Sequence, residues 1–297
     1  MKILNFGSLN IDYVYQVPHF LRPGETLSST GREVFCGGKG LNQSIALARA
    51  GAAVFHAGCV GRQDGQVLRE ALERNGVRTD YVADAESASG HAIIQVDREG
   101  GNCILLYGGA NQEIRRPFVD HVLSGFEAGD FLLLQNEISE LSYIMETAHG
   151  KGMRIVLNPS PMNEKILSLP LETVSCFLLN EVEAADLCGE APYEELLDRM
   201  TAQYPGAGIV LTVGKNGVLF GKGRERCRHG IFEVPVVDTT AAGDTFTGYF
   251  IASMAAGEPP EKALRIASKA SALAVSRRGA EPSIPRREEV LSAFAES

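Results

Sequence analysis

Short apolar runs alternate with amphipathic stretches along most of the chain. KILNFGS (residues 2–8) reads as a first strand, and LNQSIALARAG (41–51) follows as a helix that Gly51 is placed to end. AVFHAGCVG returns to a strand. DGQVLREALERNG is then a helix with Val67, Leu68, Ala71 and Leu72 on one face and Gly76 at its end. FLLLQ (131–135), RIVLN (154–158), CFLLN (176–180) and IVLTV (209–213) are continuous apolar runs, the pattern of strands buried on both faces of a parallel sheet. Helical stretches separate most of them, such as LSYIMETAHG with Leu141, Ile144, Met145 and Ala148 on one stripe. After a β-rich stretch near 217–237, helices are predicted at 243–256, about 260–276 and about 287–295. The pattern predicts an α/β fold, a doubly wound and mostly parallel sheet flanked by helices, as one domain over 1–297.

Two segments break that rhythm. ETLSSTGREVF (25–35) and HAIIQVDREGGNCILLY (91–107) alternate apolar and polar residues, with DREGGN as a hairpin turn. Together with IDYVYQV (11–17) they predict a small antiparallel sheet inserted into the larger domain, from about 11–35 and 90–107. Such a sheet serves as a lid or a dimer surface, or it is an ordinary extension.

Composition narrows the class. A chain of 297 residues, 44% hydrophobic and 22% charged, has the makings of one large globular domain. A net charge of −9 argues against nucleic acid or an anionic membrane as the main partner, while leaving room for a local basic pocket. The six cysteines, Cys36, Cys59, Cys103, Cys176, Cys188 and Cys227, are scattered without metal-site spacing and read as reduced structural thiols. The N-terminal apolar run is too short for a signal peptide, and FTGYFIASMAAG is too short to span a bilayer. A soluble, cytoplasmic protein is expected.

Polar residues collect where the predicted strands end, which is where open parallel sheets bind ligands. Asn10 and Asp12 follow the first strand, and Asn136 and Glu137 follow FLLLQ. Asn158 ends RIVLN, Asn180 ends CFLLN ahead of Glu181 and Glu183, and Thr212 runs into Gly214. Repeated carboxamide and carboxylate tips suit a sugar or another polyol, read by directional hydrogen bonds. Each feature also has a plain structural reading. Asn180 with Glu183 is a capping-box pattern, Asn158-Pro159 opens a turn, FCGGKGLN is a glycine loop, and Asp244 in DTTAAGDTF is a helix cap. GGKGLN nevertheless offers close backbone approach at Gly37, Gly38 and Gly40, with donors on Lys39 and Asn42. No Walker A loop, G-x-G-x-x-G, H-E-x-x-H or C-x-x-C occurs, which removes the common nucleotide-loop, nicotinamide-oxidoreductase and metalloprotease readings.

With GGKGLNQ near the start, NEVE in the middle and DTTAAGD near the end, the chain resembles the ribokinase-like (PfkB-type) carbohydrate kinases over essentially its whole length. FGSLNID, CGGKGLNQSIALARAG, TVGKNG, YGGAN, LNPSP and VVDTTAAGDTFTGYF match that family's segments in order. The resemblance implies an ATP-dependent sugar kinase in which Asp244 is the general base. The backbone amides of Ala241, Ala242, Gly243 and Asp244 would form an anion hole at a helix N-terminus. It implies sugar contacts from Asn10, Asp12, Gly38, Lys39, Asn42 and Glu137, with Asp244 facing the acceptor hydroxyl. Nucleotide contacts are implied for Asn180, Thr212, Gly214, Gly217, Gly243 and Ser268, and Mg²⁺ held through water by Glu183. A K⁺-type site is implied around Asp238, Thr240, Ala274, Arg277, Gly279 and Ser283, as is a homodimer through the small sheet. D-Ribose, giving ribose 5-phosphate, is the favoured substrate. Deoxyribose, fructose, ketodeoxygluconate and adenosine-like or pseudouridine-like nucleosides are alternatives, and a non-catalytic sugar-binding regulator is the reading from another class. Two positions depart from the family. Ala241 stands where the family's D-T-x-G-A-G-D has its first glycine, a change expected to be harmless if its φ is negative. Ser268 stands where ribokinase-like enzymes often carry Asn or His against adenine, which loosens the expected preference for ATP.

Overall fold

The computed structural model describes residues 1–295. The chain opens with β1 (Ile3–Phe6), β2 (Asn10–Gln16), β3 (Gly31–Gly37), α1 (Lys39–Arg49), β4 (Val54–Gly61), α2 (Gln66–Arg74) and β5 (Arg78–Ala85). The hairpin β6 (Gly90–Val96) and β7 (Asn102–Tyr107) leads to α3 (Arg116–Leu123). Then come β8 (Phe131–Gln135), α4 (Leu141–Gly150), β9 (Arg154–Asn158), β10 (Cys176–Asn180), α5 (Glu181–Cys188), α6 (Tyr193–Gln203) and β11 (Gly208–Thr212). A second hairpin, β12 (Val218–Lys222) and β13 (Glu225–His229), precedes α7 (Ala242–Ala255), α8 (Pro260–Val275) and α9 (Arg287–Ala295).

The large sheet runs β13-β12-β11-β10-β9-β8-β1-β4-β5. The seven strands from β11 to β5 are parallel, and the β12–β13 hairpin adds an antiparallel edge. The continuous apolar runs are explained by two helical layers. Leu132, Leu134, Ile155 and Leu157 point to one face with Ile144 and Met145 of α4, while Leu133, Val156, Leu178 and Val210 point to the other with Ile45 of α1 and Phe250 of α7. Strand alternation divides neighbouring residues between the two cores. Burying each such side chain contributes roughly 1.5–3 kcal/mol.

Helix α7 carries the functional end of the chain and is buried from Asp244 to Ser253. It lies directly on α1 because Gly248 has no side chain. A Cβ there would sit 2.4 Å from Cβ of Ala46 and 2.7 Å from the backbone nitrogen of Leu47. That close crossing brings the first turn of α1 beside the first turn of α7.

The smaller sheet runs β3-β2-β6-β7, with β2–β3 and β6–β7 antiparallel and β2–β6 parallel. Its strand β7 leaves Ile104, Leu105, Leu106 and Tyr107 each at least half exposed. The sequence reading differs from the structure in three places. Strand β3 begins only at Gly31, because Glu25 closes a turn onto Arg22 O and of residues 25–30 only Thr30 reaches β2, at Gln16 O. Val67 is 44% exposed, because the buried face of α2 is narrower than its apolar set and holds Leu68, Ala71 and Leu72. The β-rich stretch ends at His229, and residues 230–237 continue without strand pairing. Among the described residues no helix is long and apolar enough to cross a membrane.

Candidate active site

The carboxyl ends of β9 to β11 and the N-terminus of α7 enclose a cavity of about 240 Å³, lined in part by Lys39, Asn158, Asn180, Thr212, Gly243 and Asp244. Ala241 is the N-cap of α7, so Asp244 occupies the third helical position and is not the cap. Its carboxylate is turned away from the helix end. Oδ2 accepts from Asn42 Nδ2 at 3.0 Å and Oδ1 from Gln43 Nε2 at 2.9 Å, both from α1. The amides of Ala241, Gly243 and Asp244 have no protein acceptor among the described residues, and that of Ala242 reaches only Thr239 O at 3.3 Å. An anion at this end would meet several free N–H groups and the positive end of the helix dipole. A Cβ added to Gly243 would meet nothing within 4 Å, so the space over that amide is open.

Ala241 departs from expectation. Its φ of 59° and ψ of 10° are left-handed, not negative. The chain must reverse sharply between the exposed segment ending at Thr240 and the buried helix, and only the left-handed region gives that turn in one residue. An L-residue there costs roughly 1–2 kcal/mol that glycine avoids. The substitution is therefore strained and not neutral.

Three charged groups meet beside Asp244. Glu137, just past β8, accepts from Ser8 Oγ and from the backbone N–H of Lys39 at 3.1 Å. Burial holds its carboxyl above the usual range, against those bonds and the Lys39 charge. Asp12 on β2 is pushed up to about 7 by burial, with the charges of Glu137 and Asp244 adding to it. Burial pulls the Lys39 ammonium down, but Asp244, Glu137 and Glu183 together hold it above its ordinary value. One cation thus neutralises part of a carboxylate cluster, which leaves acceptors for hydroxyl donors. Asn10 Oδ1 takes Asn111 Nδ2 at 2.8 Å, which fixes its amide. Gly38, with φ of 90°, passes so close to β2 that a Cβ would lie 3.0 Å from Asn10 N.

Toward the nucleotide side, Asn180 and Glu183 form the full capping box of α5. Asn180 Oδ1 accepts from Glu183 N at 2.9 Å, and Glu183 Oε2 accepts from Asn180 N at 3.1 Å. Both also line the cavity, so the structural and the functional readings coexist. Thr212 ends β11 with Oγ1 turned to Leu179 O at 3.4 Å. Gly214 and Gly217 have φ of 53° and 92°, and a Cβ on Gly217 would lie 2.2 Å from His229 O. Both lie outside the cavity lining, as does Ser268, half-buried on α8.

Asp238 works as a clasp. Its Oδ1 accepts from Thr240 N at 2.9 Å and Thr240 Oγ1 at 2.6 Å, and its Oδ2 from Gly279 N at 2.9 Å. Burial opposes these bonds, which nevertheless hold the carboxyl below its usual range. The N–H groups of Val237 and Asp238 both reach Val275 O, so residues 237–240 lie against 274–279. Ala274 O receives Arg277 N at 3.0 Å, and Ser283 Oγ donates to Ala280 O at 2.8 Å. The Arg277 guanidinium points instead to Glu289 at 2.6 Å. Carbonyl and carboxylate oxygens are the donors a monovalent cation takes, and this loop pair gathers them.

Ser8, Gln43 and Asn111 escaped the sequence reading. Gln43 stood inside the quoted GGKGLNQ segment, and its signal was a carboxamide on the buried face of an apolar helix.

Comparison with known proteins agrees with this geometry. Residues 1–287 match the family described as pfkB family carbohydrate kinase. The Bacillus subtilis ribokinase is 36% identical over 295 residues, covering 97% of this chain and 98% of that protein. The crystal structure of ribokinase from Cryptococcus neoformans in complex with ADP superposes with a TM-score of 0.86 at 34% identity, covering 98% of this chain and 99% of that one. The Arabidopsis thaliana ribokinase complexed with ribose and ATP gives a TM-score of 0.87 at 28% identity, covering 99% of each chain. The chain belongs to the pfkB family of carbohydrate kinases and is a phosphotransferase with an alcohol group as acceptor.

Proposed function

We propose that the protein is an ATP-dependent sugar kinase that converts D-ribose to ribose 5-phosphate. The observation that carries this reading is the open cradle over Gly243 beside a carboxylate held by two amide donors. Asp244 takes the proton of the acceptor hydroxyl as its oxygen bonds to the γ-phosphorus of ATP. The bond from that phosphorus to the β–γ bridging oxygen breaks, and ADP leaves. The amides of residues 241–244 meet the charge on the transferring group. Asp12, Glu137 and Asn10 read the sugar hydroxyls with Gly38, Lys39 and Asn42, while Thr212, Gly214, Gly217, Asn180 and Ser268 border the nucleotide.

Mg²⁺, when bound, would screen the phosphates. Glu183 uses only Oε2 in its capping box, which leaves Oε1 for a metal-bound water. The Asp238 clasp, with Thr240, Ala274, Arg277, Gly279 and Ser283, is the place for K⁺. The small sheet acts as a lid on one α/β domain. Its exposed Ile104, Leu105 and Leu106 favour pairing with a second copy. Cysteines that are all unpaired suit a reducing cytoplasm.

An ATP-consumption screen over pentoses, hexoses and nucleosides, with and without K⁺, tests the substrate. Ribose should give the highest kcat/KM, and a preference for a nucleoside or another polyol would replace it. Asp244→Asn should lower kcat by about 10²–10⁴-fold while calorimetry still detects sugar binding. An unchanged kcat would remove Asp244 as the base.

A further inference from the structure

Behind Asp244 a chain of buried polar side chains runs through the sheet. Gln43 Nε2 donates to Asp244 Oδ1 at 2.9 Å and to Asn158 Oδ1 at 3.0 Å. Gln135 Nε2 donates to Gln43 Oε1 at 2.7 Å and to Asn5 Oδ1 at 2.9 Å. Asn5 Nδ2 donates to the Gly40 carbonyl at 2.7 Å and to Ser44 Oγ at 2.8 Å, and Ser44 Oγ lies 2.8 Å from His56 Nδ1. Gln43, Gln135, Asn5, Ser44 and His56 are all fully buried.

The direction of each carboxamide bond in this chain is forced from the Gly40 carbonyl. A backbone carbonyl only accepts, so the Gly40 oxygen fixes Asn5 with its nitrogen toward α1 and its oxygen toward β8. That oxygen demands the nitrogen of Gln135, which in turn demands the oxygen of Gln43. Only one orientation of Gln43 remains, with both N–H hydrogens aimed at Asn158 and Asp244. Burial drives His56 down to about 3, so its ring is neutral, and its tautomer sets which way the proton shared with Ser44 Oγ lies. Room for the array comes from Gly7, where a Cβ would stand 2.3 Å from Gln135 Oε1.

We propose that Gln43 is a positioning residue for Asp244, held in its donating orientation by Gln135 and Asn5, so that Oδ1 is engaged and the carboxylate plane is fixed toward the acceptor hydroxyl. A carboxamide turned over would present its oxygen to the carboxylate and lose both donations. The charged groups facing Asp244 from neighbouring elements are Lys39 on α1, Asp12 on β2 and Glu137 after β8. None of them is bonded to Asp244 in the way the two α1 amides are. The kinetic part of the proposal rests on Asp244 being the base.

Gln43→Met keeps the length of the side chain and removes both donors. Expected is a fall in kcat of about 10–100-fold, with KM for sugar and ATP within about threefold. Gln135→Met, which does not touch Asp244, should give a smaller fall of the same kind. The decisive comparison is a double-mutant cycle. In an Asp244→Asn background, read by single turnover at high enzyme concentration, Gln43→Met should add no further loss. Equal losses in both backgrounds would mean that Gln43 merely supports the fold and would overturn the proposal. A crystal structure of Gln43→Met decides independently of turnover, with the Asp244 carboxylate expected to rotate or split into two orientations. An unmoved, single carboxylate refutes the inference even if the kinase reading holds. A rotated one sustains the positioning role even if wild-type protein proves inactive on every sugar.

Discussion

Replacing Gly243 with alanine separates folding from catalysis at one atom. Gly243 is the second residue of α7, and its added methyl would meet no atom within 4 Å. Nothing in the protein has to move. Alanine is favoured over glycine in a helix by roughly 0.5–1 kcal/mol. In a chain of this length that raises the melting temperature by about 1–2 °C. The same methyl points into the space over the free amides of Gly243 and Asp244, where a phosphoryl oxygen must approach to about 2.9 Å from nitrogen. A carbon resists approach closer than about 3.5 Å, so the oxygen is pushed off its donors. Losing one such donor costs about 10²–10³ in kcat. The expected Gly243→Ala protein is therefore slightly more heat-stable and at least about a hundredfold slower. Coupled measurement of ADP release at saturating ribose and ATP, beside a calorimetric melt, reads both. A kcat within about threefold of wild type would show that phosphate does not sit over this helix end.

Three further outcomes bear on the same elements. Ala241→Gly relieves about 1–2 kcal/mol of left-handed strain, less the roughly 0.4–1 kcal/mol that glycine's freer unfolded chain takes back. The melting temperature should hold or rise, and a clear fall would contradict the positive φ. With Asp12 pushed up to about 7, its ionised form would offer a sugar more and stronger acceptor sites than the protonated acid, so ribose affinity by calorimetry should increase as pH rises through that value. Because its folded pKa lies above the ordinary 3.8, folding loses stability as pH rises from there to about 7, and Asp12→Asn should stabilise the protein at pH above that window more than below it. A flat affinity from acid to alkaline pH would refute the first expectation. Glu281 bonds Arg49, Arg74 and Asn75, with the side chains of Arg49 and Glu281 only 11% and 12% exposed. Glu281→Ala strands the Arg49 charge and should cost about 3 kcal/mol in urea unfolding at neutral pH. Burial works against it, but the bonds to Arg74 and Asn75 hold the Glu281 carboxyl below its ordinary 4.5. The stability it supplies is present above that value and is lost as pH falls through the lower folded value, so the gap between variant and wild type should close in acid.

Much of the fold could be read because its signals are local. Runs such as FLLLQ and RIVLN are apolar at every position, and only a strand covered on both faces buries them all. The polar tips Asn158, Asn180 and Thr212 were legible for the same reason, since each interrupts such a run where the strand ends. Relations between distant segments were not legible. That β2 runs parallel to β6 depends on the path of the chain between them, and no pattern within either strand records it. Gln43 looked like an ordinary motif residue until the α1–α7 crossing at Gly248 brought it to a carboxylate 201 positions away. The φ of Ala241 was equally hidden, because a left-handed alanine leaves no mark in composition.

Those three relations meet at the start of α7. A capping aspartate would satisfy the helix's free amides and close the site. Here the turn at Ala241 places Asp244 three residues further in, and α1 supplies the donors its carboxylate would otherwise take from the helix end. The amides are left free because the aspartate is satisfied elsewhere. The strain at Ala241, the missing side chain at Gly248 and the pinned amide of Gln43 are thus parts of one arrangement. It keeps a negative side chain and a helix end with free amides side by side without letting either neutralise the other.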